Sequence, residues 1–145
     1  MKVVIQRVKH ASVTINGVVH GKINTGFLVL LGVSSTDCAQ DVDYLVKKTV
    51  NLRIFTDEND KMNLSLKDVG GELLIVSQFT LYGDCSQGNR PSFIEAARPE
   101  EANPLYEYFC NQCELNNIEV QKGIFGADMK VELINDGPVT IIIEK

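Results

Sequence analysis

The chain has 145 residues, 44% of them hydrophobic and 23% charged, and carries a formal net charge of −5 at pH 7. A chain of this length and composition folds as an ordinary globular domain with its own core, which excludes the fibrous, disordered and membrane-embedded classes. The negative charge argues against a protein that follows long stretches of phosphate backbone, but not against one that grips a single nucleic-acid end. We therefore predict one domain, residues 1–145, that binds neither DNA nor a membrane.

Export and membrane signals are not visible in the sequence. The longest apolar runs, residues 27–33 and 72–79, are far shorter than the roughly 20 residues that cross a bilayer. The N-terminus alternates polar and apolar residues and lacks the continuous apolar segment of a signal peptide. The four cysteines are too sparse and irregular for a disulfide scaffold, so we expect reduced thiols in a cytoplasmic protein.

The chain opens with predicted β-structure. Residues 2–23 alternate with period two, and Asn16-Gly17 stands between apolar flanks, which is the strongest short-range signal for a β-hairpin. Residues 27–33, FLVLLGV, form a continuous apolar run typical of a strand buried on both faces.

A helix of about four turns is predicted next. Ser35 or Thr36 is its expected N-cap, with Asp37 in the first turn. Its apolar residues recur at helical spacing: Val42, Leu45, Val46 and Val50.

The second half of the chain is predicted to alternate between strands and one more helix. Residues 72–83 form an apolar strand, and residues 84–99 form a long loop. A helix is expected to begin with Asn103 as its cap and Pro104 at its first position. Three strand-like runs follow after residue 117 and are separated by glycines and by Gly-Pro. The pattern predicts an α/β (α+β) domain with a mixed, barrel-like sheet and two main helices.

Two residue patterns resemble metal or redox sites but lack the remaining ligands. Cys110 and Cys113 form a single CxxC inside a predicted helix, so we interpret their spacing as one helix face. His10 and His20 are the only imidazoles, and in the predicted hairpin His20 faces Val13 rather than His10. Neither a histidine metal pair nor a Ser-His-Asp triad is expected.

A third pattern, residues 57–62, is superficially calcium-like. The glycine that a calcium loop requires at its sixth position is Met62 here, and the closing glutamate is missing. We interpret this segment as a solvated turn, and we predict neither a metal nor an organic cofactor.

Polar residues interrupt the apolar strand at its end, in the motif SQFTLYG. Strand ends present side chains and backbone N–H groups to ligands, so Ser77, Gln78 and Thr80 are candidates for an oxyanion site or a weak nucleophile without a base. The alternative is an edge strand whose hydroxyl groups bond to the neighbouring strand. Arg90, in GNRPSF, is weak support for phosphate binding. Arg7 interrupts an apolar strand, so it either faces solvent or pairs with a fixed partner.

The stretch NDGPVTIII, residues 135–143, combines a turn with a β-branched run. Asn135 to Pro138 is ordinary turn chemistry, yet the proline cannot donate to the strand that should begin at Val139.

Three motifs together resemble the D-aminoacyl-tRNA deacylase family: SQFTLYG at 77–83, GNRPSF at 88–93 and GADMKVELINDGPVT at 126–140. The resemblance extends over the whole chain. It implies an enzyme that hydrolyses the ester between a D-amino acid, or mischarged glycine, and the 3′-terminal adenosine of tRNA, as proofreading in translation. It also implies a homodimer whose active sites are each completed by the other subunit.

The resemblance assigns roles to residues at the matching positions. Gly137 and Pro138 would form a Gly-cisPro element whose two carbonyls bind the substrate's amino group in the partner's pocket and exclude an L side chain. Arg7 resembles the arginine that braces this element. Phe125 and Met129 would line the pocket. The terminal adenosine and the ester would be held by Ser77, Gln78, Phe79 and Thr80.

The chemistry that the resemblance implies uses the ribose 2′-hydroxyl of the tRNA, with the N–H groups of Phe79 and Thr80 stabilising the oxyanion. Two alternatives stay open. One is a non-catalytic module that binds tRNA ends or an amino acid, and the other is an esterase with Thr80 as its nucleophile.

Overall fold

Strands from both ends of the chain form one curved sheet, and two of the helices pack on it. The computed structural model describes all residues, 1–145. The strands are β1 (Lys2–Ile15), β2 (Val18–Ile23), β3 (Gly26–Gly32), β4 (Phe55–Thr56), β5 (Met62–Leu64), β6 (Glu72–Ser77), β7 (Glu119–Lys122) and β8 (Lys130–Glu144). The helices are α1 (Ala39–Val50), α2 (Leu66–Val69) and α3 (Pro99–Leu115), and a short 3₁₀ helix (Phe79–Tyr82) follows β6.

The long strand β1 is the centre of the sheet. One of its edges pairs antiparallel with β3 and then β2, and the other edge pairs antiparallel with β8. Strand β3 pairs parallel with β6, which pairs parallel with β7. The predicted mixed sheet is thus confirmed. It curls until β2 approaches β7: a Cβ atom on Gly21 would lie 3.2 Å from the Lys122 carbonyl oxygen.

The two faces of β3 and β6 enter two different cores. Phe27, Val29 and Leu31 point into a helix-side core between the sheet and helices α1 and α3. Leu28 points the other way, into a smaller inner core within the curl of the sheet, together with Leu74 of β6. The prediction that residues 27–33 are buried on both faces is confirmed. Each such side chain contributes about 1.5–3 kcal/mol by leaving water.

The first turn of the chain follows the prediction, but the register beside it does not. Asn16 and Gly17 both have positive φ, 51° and 78°, as a two-residue hairpin turn requires. A bulge between Val13 and Thr14 shifts the pairing so that Val13 lies opposite Gly21. The predicted pairing of Val13 with His20 is therefore wrong by one residue.

Helix α1 begins later than predicted. Its N-cap is Cys38, whose backbone N–H donates to Asp41 Oδ2 at 2.9 Å in a capping box. Asp37 instead accepts a hydrogen bond from the Ser34 N–H at 2.7 Å, which folds the residues before the helix into a turn. Ser35 and Thr36 are therefore not caps.

Helix α3 begins five residues earlier than predicted, with Arg98 at the N-cap and Pro99 at the first position. Pro104 lies inside the helix, so the prediction that it marks the start is wrong. The lost hydrogen bond at Pro104 is offset by packing, since an apolar stripe runs through both ends of the helix. Its buried residues are Ala102, Tyr106, Phe109, Cys110 and Cys113.

Two predicted strands have different bounds. Strand β6 ends at Ser77, not at residue 83, because the chain turns into the 3₁₀ helix, where the Leu81 N–H donates to the Gln78 carbonyl at 3.2 Å. The two predicted runs on either side of Gly137-Pro138 are one strand, β8, so the strand does not begin at Val139. None of the helices is long and apolar enough to span a membrane.

Candidate functional site

A cavity of about 590 Å³ opens where β3 and β6 end. Its floor includes Leu31 of β3 and Val76 of β6, and most of its lining is apolar. The helix-side core and the inner core both contribute to the walls, since Tyr106 comes from the first and Met129 packs against the second. This size and lining are those of pockets that hold small organic ligands.

The SQFT segment forms one rim of the cavity. Ser77, Gln78 and Phe79 line it, whereas Thr80 lies next to it on the surface. The Gln78 backbone N–H donates to the Leu31 carbonyl at 2.8 Å, which fixes the segment to the end of β3. Since β6 lies between β3 and β7, the alternative of an edge strand is wrong. The Thr80 hydroxyl bonds to the Gln78 side chain instead of to a neighbouring strand.

Backbone donors are available at the start of the 3₁₀ helix. The first bond of the helix is made by the Leu81 N–H, so the N–H groups of Phe79 and Thr80 precede it. Such first-turn donors have no acceptor within their own helix. Phe79 is 55% exposed and packs edge-on against Phe93, with 5.0 Å between the ring centroids. A ligand that enters beside Phe79 therefore meets an aromatic surface.

Another part of the lining contains Phe125 and Met129. Phe125 packs on Tyr106, with ring centroids 6.0 Å apart, and the Tyr106 hydroxyl donates to the Ile75 carbonyl at 2.8 Å. Met129 lies over Gly123, where any side chain would collide with its sulfur atom. Both aromatic rings are thus held by packing and by a buried hydrogen bond, which keeps this wall rigid.

The cavity offers little acid–base chemistry of its own. No histidine lines it, and Arg98 and Asp128 are its only charged residues. Burial raises the pKa of Tyr106 far above its usual value. The nearby Cys110 thiol is buried as well, which raises its pKa to about 12. The buried cysteine pair is therefore an inert part of the core, as the helix-face interpretation predicts, and no metal-binding cluster of His, Cys, Asp or Glu is present.

Gly137 and Pro138 lie in an excursion of β8 away from the cavity lining. Asn135 pairs with Val8 and Thr140 pairs with Gln6, so the four residues 136–139 face a single residue of β1. The Gly137-Pro138 peptide is cis, and both residues are exposed.

The excursion is closed by one side chain at its base. Asn135 Oδ1 accepts from the Val139 N–H at 2.7 Å, and Asn135 Nδ2 donates to the Val139 carbonyl at 3.2 Å. We call residues 136–139 the GP turn.

Arg7 is the single residue opposite the GP turn, and it is only 8% exposed. Its Nε donates to the Asp136 carbonyl at 2.8 Å, and its NH1 donates to the Ile54 carbonyl at 2.5 Å. The Asp136 carboxylate lies 3.7 Å from the same guanidinium. Of the two predicted alternatives for Arg7, the fixed partner is correct. Arg7 ties the GP turn to the segment that follows α1.

The predicted site residues therefore fall into two groups. The cavity group is Ser77, Gln78, Phe79, Phe125 and Met129, with Thr80 beside it. The second group, Arg7, Gly137 and Pro138, forms the GP turn and its support. Sequence reasoning missed Phe93, Arg98 and Tyr106 as lining residues. Phe93 could have been found, because it ends the GNRPSF motif. Arg98 was missed because it is the N-cap of a helix that was predicted to begin five residues later, and nothing in the sequence shows that Tyr106 faces the cavity.

Comparison with known proteins decides the family. Residues 4–144 match the family described as D-Tyr-tRNA(Tyr) deacylase. The chain belongs to this family. Members of the D-Tyr-tRNA(Tyr) deacylase family are hydrolases of the aminoacyl-tRNA ester bond, so both the resemblance and the predicted class of enzyme are confirmed.

Individual relatives agree with the family match. The D-aminoacyl-tRNA deacylase of Thermosipho africanus is 58% identical over 99% of this chain and 97% of its own length. That of Fusobacterium nucleatum is 60% identical over 99% and 95%.

Two solved structures share the fold. One, described as a c-Myc DNA Unwinding Element Binding Protein, is 42% identical, has a TM-score of 0.94, and covers 100% of this chain and 99% of its own. Another, described as a probable eukaryotic D-amino acid tRNA deacylase, has a TM-score of 0.84 at 18% identity, covers 98% of this chain and 97% of its own, and shows the fold alone.

Proposed function

We propose that this protein hydrolyses the ester bond between a D-amino acid and the 3′-terminal adenosine of tRNA. The observation that carries the proposal is the cavity at the end of β6, which joins the SQFT rim to Phe125 and Met129 in a chain of this family. The net charge of −5 favours contact with one end of a nucleic acid over contact along a duplex. Aminoacyl-tRNA is a cytoplasmic substrate, and we place the protein in the cytoplasm.

The mechanism we infer depends on positioning. Ser77, Gln78 and Phe79 hold the adenosine and the ester at the rim, so that the N–H groups of Phe79 and Thr80 face the ester carbonyl oxygen. Negative charge grows on that oxygen as water attacks, and donors fixed in advance stabilise it. The cavity has no histidine to act as a base, and its one carboxylate, Asp128, pairs with Lys130 at 2.9 Å. The substrate's own 2′-hydroxyl, next to the ester, supplies the remaining polar group.

Handedness is read, on this proposal, by the GP turn of a second subunit. The tip of the turn, Gly137 and Pro138, is exposed, and five residues separate Gly137 from Val131 in the wall of the chain's own cavity. These six steps along an extended chain span up to about 20 Å. In a homodimer the carbonyls of Gly137 and Pro138 enter the partner's cavity and accept hydrogen bonds from the substrate's ammonium group. Backbone in that place leaves no room for an L side chain.

Two further features support a dimer and a second substrate. Ile134 and Ile142 of β8 are large apolar side chains exposed on the sheet, and Ile142 is 64% exposed, as expected for residues that a second copy covers. A site that selects by excluding an L side chain has no means to exclude glycine. We therefore propose mischarged glycyl-tRNA as a second substrate.

The test compares deacylation of D-Tyr-tRNA and L-Tyr-tRNA at equal enzyme concentration. The proposal expects release of D-Tyr at a rate at least about 100-fold above that of L-Tyr. A ratio of this size is expected when the site has no space for one of the two substrates. Equal rates, or no release of either amino acid, would refute it. Binding of D-Tyr-tRNA without release would select the non-catalytic module instead.

The variant Thr80→Ala separates the proposed mechanism from an esterase with a threonine nucleophile. Its backbone N–H is kept, so we expect most of the activity to be kept as well. Loss of activity by several orders of magnitude in a folded variant would assign the nucleophile to Thr80.

A further inference from the structure

Arg98 is the one cationic side chain in the cavity lining. It is exposed, and it forms no ion pair within 4.0 Å and no side-chain hydrogen bond anywhere in the chain. The other charged lining residue, Asp128, already has Lys130 as its partner at 2.9 Å. The guanidinium of Arg98 is thus a set of donors beside an apolar cavity with no acceptor in the protein.

The backbone holds Arg98 firmly at this place. Its carbonyl accepts from the N–H groups of Glu101 at 3.0 Å and Ala102 at 2.8 Å, as the N-cap of the 17-residue helix α3. The following residue, Pro99, restricts Arg98 to the extended conformation that it has, with φ −67° and ψ 155°. The carboxylates of the first helical turn, Glu100 and Glu101, are exposed and do not pair with it. The backbone of Arg98 is thus fixed, while its side chain is exposed and without a partner.

The substrate of the proposed function carries a phosphate group for which the residues described so far supply no hydrogen-bond donor. A terminal adenosine bound in the cavity is joined to the next nucleotide through its 5′-phosphate, which must lie at the opening because the chain of the tRNA leaves there. An arginine fork matches a phosphate with two parallel hydrogen bonds. We propose that Arg98 binds the 5′-phosphate of the terminal adenosine and so sets the depth at which the ester enters. This inference rests on the proposed function.

The test compares the unaltered protein and Arg98→Gln, each on a substrate with the phosphate and on a substrate without it. D-Tyr-tRNA carries the phosphate, and D-tyrosyl adenosine with a free 5′-hydroxyl does not. We expect Arg98→Gln to lower kcat/KM roughly tenfold for D-Tyr-tRNA, mainly through KM, as for loss of a hydrogen bond to a charged group. We expect no change for D-tyrosyl adenosine.

A second readout is the salt dependence of KM for D-Tyr-tRNA. Loss of one phosphate contact on a single strand should lower the slope of log KM against log salt by about 0.7. Lys47→Gln is the matched control, since Lys47 is exposed on α1, forms no ion pair and does not line the cavity. This control should change neither kcat/KM nor the slope. The urea midpoint of each variant reports whether it is folded.

Several outcomes would overturn the assignment of Arg98. An unchanged slope, an unchanged kcat/KM for D-Tyr-tRNA, or an equal loss with both substrates each means that Arg98 does not bind the phosphate. If Lys47→Gln lowers kcat/KM for D-Tyr-tRNA by the same factor, the effect comes from the net charge of the protein and not from a contact of Arg98. If the unaltered protein releases D-Tyr from neither substrate, the deacylase proposal fails, and the assignment of Arg98 fails with it.

Discussion

The bracing of the GP turn by Arg7 gives a quantitative prediction. Replacing Arg7 with methionine keeps the length and apolar stem of the side chain but removes donors from two carbonyls, those of Asp136 and Ile54. A hydrogen bond to a charged group is worth about 1.5–3 kcal/mol, and the NH1 bond is fully buried. We therefore expect Arg7→Met to lower the free energy of unfolding by about 3–5 kcal/mol, and Arg7→Lys, which can reach one carbonyl, to lower it by about half as much.

The assay is urea unfolding followed by circular dichroism, at one fixed protein concentration because the stability of the proposed dimer would depend on it. Lys9→Met is the matched control. Lys9 contacts the same residue, Asp136, at 3.4 Å, but its side chain is 63% exposed, and exposed ion pairs contribute at most about 1 kcal/mol. A loss below about 1 kcal/mol in Arg7→Met, or equal losses in the two variants, would show that the turn is not held by Arg7.

Three further predictions concern the rest of the fold. Gly26→Ala places a Cβ against the Glu72 carbonyl, so we expect a loss of at least about 3 kcal/mol in urea unfolding; a loss under 1 kcal/mol contradicts the close approach of β3 and β6. Native protein should react with a thiol reagent at only two of its four cysteines, because Cys110 and Cys113 are buried, and fast labelling of all four contradicts this packing. Hydrogen bonds from Ser65 lower the pKa of Asp68 in the folded protein. The contribution of Asp68 to the stability of the fold is therefore complete above its pKa in the unfolded chain, about 3.9, and is lost as the pH falls through its lower pKa in the folded protein. An NMR titration midpoint for Asp68 at or above 3.9 contradicts it.

Local patterns were enough to predict the strands that the cavity is built on. Period-two alternation and the Asn16-Gly17 turn predict the hairpin, and the doubly buried run 27–33 predicts a central strand. The three motifs contain the cavity rim and the GP turn, and it is their resemblance to a known family that pointed to these residues.

The features that were mispredicted depend on distant contacts. Pro104 reads locally as a helix start, but the burial of Tyr106 and its neighbours extends α3 through it. The sequence pattern of β8 predicts two separate strands. The strand continues through the GP turn because it pairs with β1 and because Arg7, 129 residues away in the sequence, binds Asp136. Arg98 was missed for the same reason, since its place in the cavity depends on where α3 begins.

The position of the cavity between two cores ties the shape of the cavity to the packing of the whole domain. Leu31 and Tyr106 belong to the helix-side core, while Val76 belongs to the inner core, so no wall made of these residues can shift without disturbing the packing of one core or the other. A ligand held in such a cavity is positioned by walls that move little. The cavity should therefore keep its shape on warming until the protein unfolds, and then be lost together with the fold.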